Sequence, residues 1–306
     1  MFGTNEIVGR AFFRDAPANS LLVTSMFFTL QGEGPFAGRP AFFVRLAKCN
    51  LACNFCDTFF DQGEWMTFEE ISDRIETTIE KHFANPNNDK EDTPKWAAGV
   101  ADAWSDDKRG IAMFEWHKRR KMVLVVTGGE PALQKTALGD FFDYMSQQFE
   151  DMQVETNGTL DLTTRSVNIT VVCSPKCNVI GRYPQPRLEV LHRANCLKFV
   201  VSANPVSPYH TVPEWAHRWA TDTDKPIYIS PMNIYNDLPQ KAKELRATQQ
   251  GATLEQRSTV DEVISFWEPG LLDMKANQAN HEYAASYALW HGYIFNMQMH
   301  LFASMA

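Results

Sequence analysis

The sequence predicts an α/β fold built around a parallel sheet. Short apolar runs rich in Val, Ile and Phe recur along the chain, and such runs are typical of strands buried on both faces. Helical patterns lie between some of these runs, and alternating strands and helices indicate a parallel sheet. Polar residues follow five of the predicted strands, at the edge where a parallel βα barrel collects its reactive side chains.

The predicted strands are six segments in which apolar residues are nearly continuous. They are AFFVRL (41–46), MVLVV (122–126), MQVE (152–155), ITVVC (169–173), LKFVV (197–201) and PIYIS (226–230). The clearest helical patterns are TFEEISDRIETTIEKHF at 67–83 and LQKTALGDFFDYMSQQFE at 133–150. Each of these two helices separates a pair of strands, as a parallel arrangement requires.

Two connections are too long for a minimal βα unit, and we interpret both as insertions. Residues 84–121 contain the breaker-rich stretch NPNNDKEDTP, and residues 237–280 are polar and charged with few strand signals. A chain of 306 residues can bury a sizeable core and fits one elaborated domain, residues 1–306. The core of that domain would comprise about 22–83, 122–236 and 281–306.

Composition and charge agree with a protein of the cytoplasm. The apolar share of 44% is ordinary for a globular protein, and no run approaches the length of a membrane span. The N-terminus lacks a basic-then-apolar signal pattern, so we expect reduced cysteines. A formal net charge of -8 argues against broad binding to nucleic acid, and we interpret HKRRK at 117–121 as a solvated flank of the following strand.

Three cysteines, Cys49, Cys53 and Cys56, lie in the run KCNLACNFCDT with CxxxCxxC spacing. Four thiolates usually hold an iron–sulfur cluster, so a site with three would leave one iron open to a substrate or cofactor. Zinc is an alternative, although structural zinc usually takes four ligands and no second CxxC or HxxxH pair is obvious. A disulfide framework is less favoured, because six cysteines in 306 residues are not a small stapled scaffold.

Four separated motifs carry a resemblance to a known family. They are TLQGEGPFAGRPAFFVRLAKCNLACNFCDT at 29–58, VTGGEPALQ at 126–134, VETNGT at 154–159 and CSPK at 173–176. CxxxCxxC is the signature of the radical S-adenosylmethionine enzymes, and with the other motifs the chain resembles the 7-carboxy-7-deazaguanine synthases of the queuosine (7-deazapurine) pathway. The resemblance implies a partial (β/α)6 TIM-like barrel of the radical SAM type, with insertions, and the six predicted strands agree with it.

The resemblance also implies an activity and its cofactors. The activity is that of a carbon–nitrogen lyase that converts 6-carboxy-5,6,7,8-tetrahydropterin to 7-carboxy-7-deazaguanine with loss of ammonia. The cofactors are a 4Fe-4S cluster on Cys49, Cys53 and Cys56, S-adenosylmethionine (SAM) on the fourth iron, and Mg2+ on Thr58. The implied partners are the pterin, a reducing protein such as a flavodoxin or ferredoxin, and a second copy in a homodimer, with no nucleic acid and no membrane.

Contacts with SAM are implied for a group of residues around the motifs. They are Phe55, Gly128, Gly129, Glu130, Glu155, Ser174, Lys176 and Met232. Other interpretations stay open: Phe55 as a packing aromatic, the glycines as a tight strand-to-helix turn, and Glu155 as a solvated side chain. We interpret Cys173 and Cys177 as buried or incidental thiols, since two cysteines are too few for a second cluster.

Contacts with the substrate are implied for a second group. They are Leu30, Gln31, Gly32, Arg45, Thr127, Gln298, His300 and Ala306, with Glu33 as a weaker candidate. The Gln31 amide can donate and accept toward a pterin edge, and Arg45 can fork onto a carboxylate. The C-terminus departs from the family pattern, because Ala306 stands where relatives often end in proline, although Gln298 and His300 keep a Q-x-H spacing.

Two other classes stay open. A glycyl-radical activating enzyme would share CxxxCxxC and a GGEP-like motif, although QGEG, Arg45 and CDT count against it. A non-catalytic metal-binding or interaction protein would use the insertions at 84–121 and 237–280 as its binding surface.

Overall fold

A computed structural model describes residues 6–53, 56, 59–84, 121–162, 169–178, 180–234, 251–258 and 273–298. Within these ranges, nine strands form one sheet. They are β1 (Ser20–Leu30), β2 (Pro40–Leu46), β3 (Glu64–Thr67), β4 (Val123–Gly128), β5 (Asp151–Thr156), β6 (Ile169–Cys173), β7 (Cys196–Val201), β8 (Ile227–Pro231) and β9 (Ile294–Phe295). Their order is β3-β1-β2-β4-β5-β6-β7-β8-β9, and within the described residues the sheet does not close on itself.

The centre of the sheet is parallel, as the sequence predicted. Strands β2, β4, β5, β6, β7 and β8 are successive parallel neighbours, and each overlaps one of the six predicted strands. The short β9 continues the parallel order beside β8. The α/β prediction is therefore confirmed, and the arrangement agrees with an incomplete barrel of six parallel strands.

The opposite edge of the sheet was not predicted. Strand β1 pairs antiparallel with β2 and β3, and ten of its eleven residues are buried. Thr24 and Ser25 interrupt the apolar run of β1 and coincide with a register shift in its pairing with β2. The Thr24 hydroxyl donates to the carbonyl of Gln62 at 2.8 Å, which satisfies this polar group in the core.

The helices whose bounds are given are α1 (Phe68–Ala84), α2 (Lys135–Met145), α3 (Leu188–Arg193), α4 (Glu214–Thr223) and α5 (Met274–His291), and residues 254–258 are also helical. Helix α1 agrees with its prediction, whereas α2 is shorter than the predicted 133–150 because Pro131–Gln134 form a 3-10 turn and the helix ends at Met145.

One face of the sheet packs against these helices. On β2 and β4, alternate residues such as Leu46 and Val126 share a buried cluster with Ile71 of α1 and Phe142 of α2. On β7 and β8, the corresponding positions pack against α4 and α5. Burial of each such side chain contributes about 1.5–3 kcal/mol, so this layer holds the strands in place and leaves their other face available for a site.

Part of the segment interpreted as the second insertion packs on the sheet. Asn277 and Asn280 of α5 are buried, and both form hydrogen bonds with the loop after β8. The amide of Ile234 donates to Asn277 Oδ1 at 2.7 Å, and Asn280 Nδ2 donates to the carbonyl of Met232 at 2.7 Å. Arg257, which is 2% exposed, donates to the carbonyl of Thr24 in β1. Residues 85–120, 235–250 and 259–272 lie outside the described residues, so the division into one domain with two insertions stays a prediction. No described helix combines the length and apolar character that crossing a membrane requires.

Candidate active site

A cavity of about 270 Å³ lies against the face of the sheet opposite the helices. Alternate residues of the parallel strands line it, because successive side chains of a strand lie on opposite faces. Strand residues in its wall include Arg45 of β2, Thr127 of β4, Glu155 of β5, Lys198 of β7 and Ser230 of β8. The carboxyl ends of these strands and the loops that follow them complete the wall, as the positions of the polar motifs predicted.

The cavity brings together most of the residues predicted for the site. Those that line it are Leu30, Gln31, Glu33, Arg45, Cys49, Cys53, Cys56, Thr127, Gly128, Gly129, Glu155, Ser174, Lys176, Met232 and Gln298. Gly32 and Glu130 do not line it, and Phe55, Thr58, His300 and Ala306 lie outside the described residues. The roles assigned to these residues stay predictions.

Three thiols share this cavity. Cys49 is 7% exposed, whereas Cys53 and Cys56 are half-buried, and none of the six cysteines forms a disulfide in the described structure. Burial raises the pKa of the Cys49 thiol to about 12, and burial also raises the pKa of Cys53 against the opposing charge of Lys176. Within the described ranges no three His, Cys, Asp or Glu side chains converge closely enough to hold a metal ion. The three thiols nevertheless are the type of donor that an iron–sulfur cluster takes, and they line the same cavity.

The segment before the cysteines is fixed from several sides. Lys48 has a left-handed backbone with φ of 72°, and its ammonium pairs with Glu6 at 3.2 Å and with Asp61 at 3.4 Å. The N-terminal residues run beside Cys49, where the amide of Val8 donates to the Cys49 carbonyl at 2.9 Å. These contacts position the first thiol relative to the end of β2.

Gly128 and Gly129 allow the end of β4 to lie directly against this segment. The amide of Gly129 donates to the Leu46 carbonyl and the amide of Glu130 to the Lys48 carbonyl, both at 2.9 Å. A Cβ on Gly129 would lie 1.8 Å from the Lys48 oxygen, and Gly128 has φ of +113°. The two glycines are therefore required by backbone packing, in addition to any contact with a ligand.

Glu130 connects two loops of the site instead of facing the cavity. Its carboxylate accepts hydrogen bonds from Ala132 N at 2.8 Å, from Thr156 Oγ1 at 2.7 Å and from Asn157 N at 2.7 Å. The residue is fully buried, and burial raises its pKa against the opposing effect of these donors. Glu130 thus caps the turn at Pro131–Gln134 and ties it to the ETNG loop.

Glu155, Glu33 and Lys198 form an ion-paired group that we call the buried triad. The Lys198 ammonium lies 2.8 Å from Glu33 Oε2 and 3.0 Å from Glu155 Oε2. The second oxygen of Glu155 accepts from Gln31 Nε2 at 3.2 Å. Glu155 is therefore not simply solvated, and Gln31 and Glu155, which were assigned to different ligands, contact each other.

A second cation lies beyond the end of β6. The Lys176 ammonium donates to the carbonyl and the hydroxyl of Ser174, at 2.7 and 2.6 Å. Burial, and then the charge of Lys198, lower the pKa of Lys176. Met232 lines the same cavity and is held by its own amide, which donates to Val201 O at 2.8 Å.

Arg45 has an aromatic support. Its guanidinium lies 4.8 Å from the centre of the Phe27 ring, and Phe27 stacks on Phe43 with 5.3 Å between ring centres. Thr127 is the register partner of Arg45 on the neighbouring strand. At another part of the wall, Gln298 accepts a hydrogen bond from the Asn233 amide. A cationic group beside flat apolar rings can bind a planar, carboxylated ligand.

Sequence reasoning assigned no role to several residues of the wall. They include Phe27, Thr29, Phe43, Asn157, Lys198, Ser230 and Asn233. A role for Lys198 could have been predicted, because a lysine in the middle of the apolar run LKFVV is unusual for a buried strand. No feature of the sequence indicates a role for Thr29. Its hydroxyl is buried without a hydrogen-bond partner among the residues that the structure describes.

Comparison with known proteins finds no matching family model but does find related sequences. The chain is 29% identical over 233 residues to the 7-carboxy-7-deazaguanine synthase of Rickettsia prowazekii, covering 76% of this chain and 81% of the relative. It is 32% identical over 218 residues to the 7-carboxy-7-deazaguanine synthase of Escherichia coli, covering 70% and 86%. A crystal structure of QueE from Escherichia coli aligns with a TM-score of 0.49 and 19% identity, over 95% of this chain and 99% of that one.

Proposed function

The chain belongs to the 7-carboxy-7-deazaguanine synthase family, and from this premise we propose that it converts 6-carboxy-5,6,7,8-tetrahydropterin to 7-carboxy-7-deazaguanine with loss of ammonia. It is then a carbon–nitrogen lyase of the radical SAM class. The observation that carries this proposal is the cavity shared by the three cysteines, the three cationic side chains and the polar ends of the parallel strands. The two alternatives left open by the sequence have no specific observation in their favour among the described residues.

In this proposal, Cys49, Cys53 and Cys56 hold the 4Fe-4S cluster, and their shared cavity wall supports the assignment. A cluster and SAM held by these residues would supply the chemistry that removes one hydrogen atom from a C–H bond of the substrate. The proposed SAM contacts are Phe55, Gly128, Gly129, Glu130, Glu155, Ser174, Lys176 and Met232. For Glu130 the available group is the main chain, since the buried carboxylate already accepts three hydrogen bonds.

The substrate carboxylate is assigned to Arg45. Its guanidinium offers paired N–H donors that match a carboxylate, and the Phe27 ring beside it can support the flat pterin. Among the described residues, the other proposed substrate contacts are Leu30, Gln31, Gly32, Thr127 and Gln298. Because the protein must hold a reactive radical against one C–H bond, these residues act by orienting the ring and excluding water.

Some parts of the proposal rest on sequence alone. Thr58 is the proposed Mg2+ ligand, and the hard oxygen of a threonine suits that cation. His300 and the main-chain carboxylate of Ala306 are proposed to contact the substrate. We also propose a flavodoxin or ferredoxin as reductant, because the reaction needs a low-potential electron. Family resemblance favours a homodimer and a cytoplasmic location, which we propose as well.

The test is turnover by anaerobically reconstituted protein. Incubation with SAM, Mg2+, a reductant and the carboxypterin is expected to give 7-carboxy-7-deazaguanine, detected by mass spectrometry. Cys53→Ser should lose both the visible absorption of the cluster and turnover. Cys177→Ser, which removes another half-buried thiol, is the matched control and should keep both. Unchanged carboxypterin with a fully loaded wild-type enzyme would refute the proposal.

A further inference from the structure

The buried triad contains an ammonium in the middle of the sheet. Lys198 is 6% exposed and lies between apolar residues of β7, yet its side chain lines the cavity. It bridges Glu33, in the loop after β1, and Glu155, near the end of β5. Burial alone would lower the pKa of this ammonium, but the charges of Glu155 and Glu33 raise the pKa above its usual value, so Lys198 is charged at neutral pH.

Neutral donors orient the two carboxylates further. The oxygen of Glu155 that does not contact Lys198 accepts from Gln153 Nε2 at 2.9 Å as well as from Gln31. The second oxygen of Glu33 accepts from the Ser230 hydroxyl at 3.3 Å. Each carboxylate is thus held by donors from more than one element, which fixes the direction of its lone pairs.

Stability does not account for this arrangement. A buried ion pair contributes little net stability, because desolvation offsets the attraction between the charges. Here two carboxylates share one ammonium, so the triad carries an excess negative charge, and all three side chains line the cavity. Lys176 lies in the same cavity and offsets part of this charge, but carboxylate oxygens in a poorly solvated wall still favour a ligand that brings N–H donors.

We propose that Lys198 is a positioning residue for the substrate, which fixes Glu155 and Glu33 so that they accept hydrogen bonds from the N–H donors of the pterin ring. The pyrimidine part of a pterin has an amino group next to a ring N–H, and a carboxylate can accept from both at once. This inference rests on the proposed function, and within that function it assigns Glu155 to the pterin in place of SAM. It places the donor edge of the ring at the triad and the substrate carboxylate at Arg45.

Lys198→Gln tests the inference, because glutamine can still donate to one carboxylate but cannot bridge both. We expect cluster content and SAM cleavage without pterin to match wild type. The KM for the carboxypterin should rise about a hundredfold, as for loss of one partner from a buried charged contact, while kcat falls less. Lys198→Arg keeps the charge and should raise KM less than Lys198→Gln does.

Lys225→Gln is the matched control. Like Lys198, Lys225 donates to two acceptors, here the main-chain carbonyls of Ala194 at 2.6 Å and His192 at 3.2 Å. Unlike Lys198, it does not line the cavity. Its KM should stay within about twofold of wild type. A Lys198→Gln enzyme with wild-type KM, or a Lys198→Arg enzyme with altered kcat alone, would overturn the inference while leaving the proposed function intact. Absence of turnover by the wild type would instead overturn the proposed function and the inference with it.

Discussion

The hydroxyl of Thr156 donates to the carboxylate of Glu130 across 2.7 Å, and this contact joins the loop after β4 to the end of β5. The loops after β4 and β5 contribute to the cavity, through Gly129 and Asn157. A fully buried carboxylate in this position sets the spacing of two neighbouring strand ends without touching the cavity itself.

Replacing Glu130 should therefore act through stability. Glu130→Ala leaves two amides and one hydroxyl without their acceptor, and each buried unsatisfied group costs about 1–3 kcal/mol. We expect the free energy of unfolding, measured by denaturant titration, to fall by about 3 kcal/mol or more. Glu69→Ala, on the exposed face of α1, should change it by less than about 0.5 kcal/mol. Equal effects of the two changes would contradict the assigned role of Glu130.

Gly129→Ala should displace the cysteine segment. The new Cβ would lie 1.8 Å from the Lys48 carbonyl oxygen, and that backbone cannot give way without moving Cys49. We expect lower iron content and weaker visible absorption per protein after reconstitution, with destabilisation of at least about 1–3 kcal/mol. Gly9→Ala, which meets no heavy atom within 4 Å, is the control and should load the cluster normally. Normal iron content in Gly129→Ala would show that the close packing is not needed.

The parallel strands could be predicted because each is a nearly continuous apolar run, as burial on both faces requires. Strand β1 could not, since Thr24 and Ser25 break its apolar run and only the folded chain shows their burial. Helix α5 was partly assigned to an insertion because its buried positions include Asn277 and Asn280, which pair with loop backbone and give no apolar periodicity.

The same distinction applies to the site. The cysteines and the GGE glycines lie in contiguous motifs, so their grouping could be predicted from sequence. The contact between Lys198 and Glu33 joins residues 165 positions apart, and only the sheet order brings them together. Glu130 was assigned to SAM because its GGE motif resembles that of the family, whereas in the structure its side chain is fully buried and does not line the cavity.

Asp161 predicts a pH dependence of stability. Hydrogen bonds from Lys135 and then from Arg10 hold the pKa of its carboxyl well below the usual range. A lowered pKa in the folded state stabilises the protein above the unfolded pKa, about 3.9, and this contribution is lost as the pH falls through the folded value. Asp161→Asn should lower the denaturation midpoint at pH 7, and the difference from wild type should shrink progressively below about pH 4. Asp222→Asn, an exposed control, should show no such convergence.

Arg45 predicts selectivity for a carboxylated substrate. Arg45→Lys keeps the charge but loses the paired donors, and Arg45→Met loses both. We expect kcat/KM for the carboxypterin to fall in this order, by about a hundredfold for Arg45→Met. Binding of tetrahydropterin without the carboxylate, measured by calorimetry on the cluster-loaded enzyme, should be similar in wild type and both variants. A parallel loss of affinity for the decarboxylated ligand would place the substrate carboxylate elsewhere.

We predict that the Thr29 hydroxyl forms a hydrogen bond with the substrate. This hydroxyl is buried in the cavity wall and has no partner among the described residues, so Thr29→Val should leave the free energy of unfolding unchanged or raise it by up to about 1 kcal/mol. The KM for the carboxypterin should nevertheless rise about fivefold, as expected for one neutral hydrogen bond.

Thr24→Val is the matched control on the same strand, because its hydroxyl already donates to Gln62 O. That control should lose about 1–3 kcal/mol of stability with KM unchanged, since the Gln62 carbonyl would be left unpaired and neither residue lines the cavity. If both variants lost stability and kept KM, the Thr29 hydroxyl would have a partner other than the substrate.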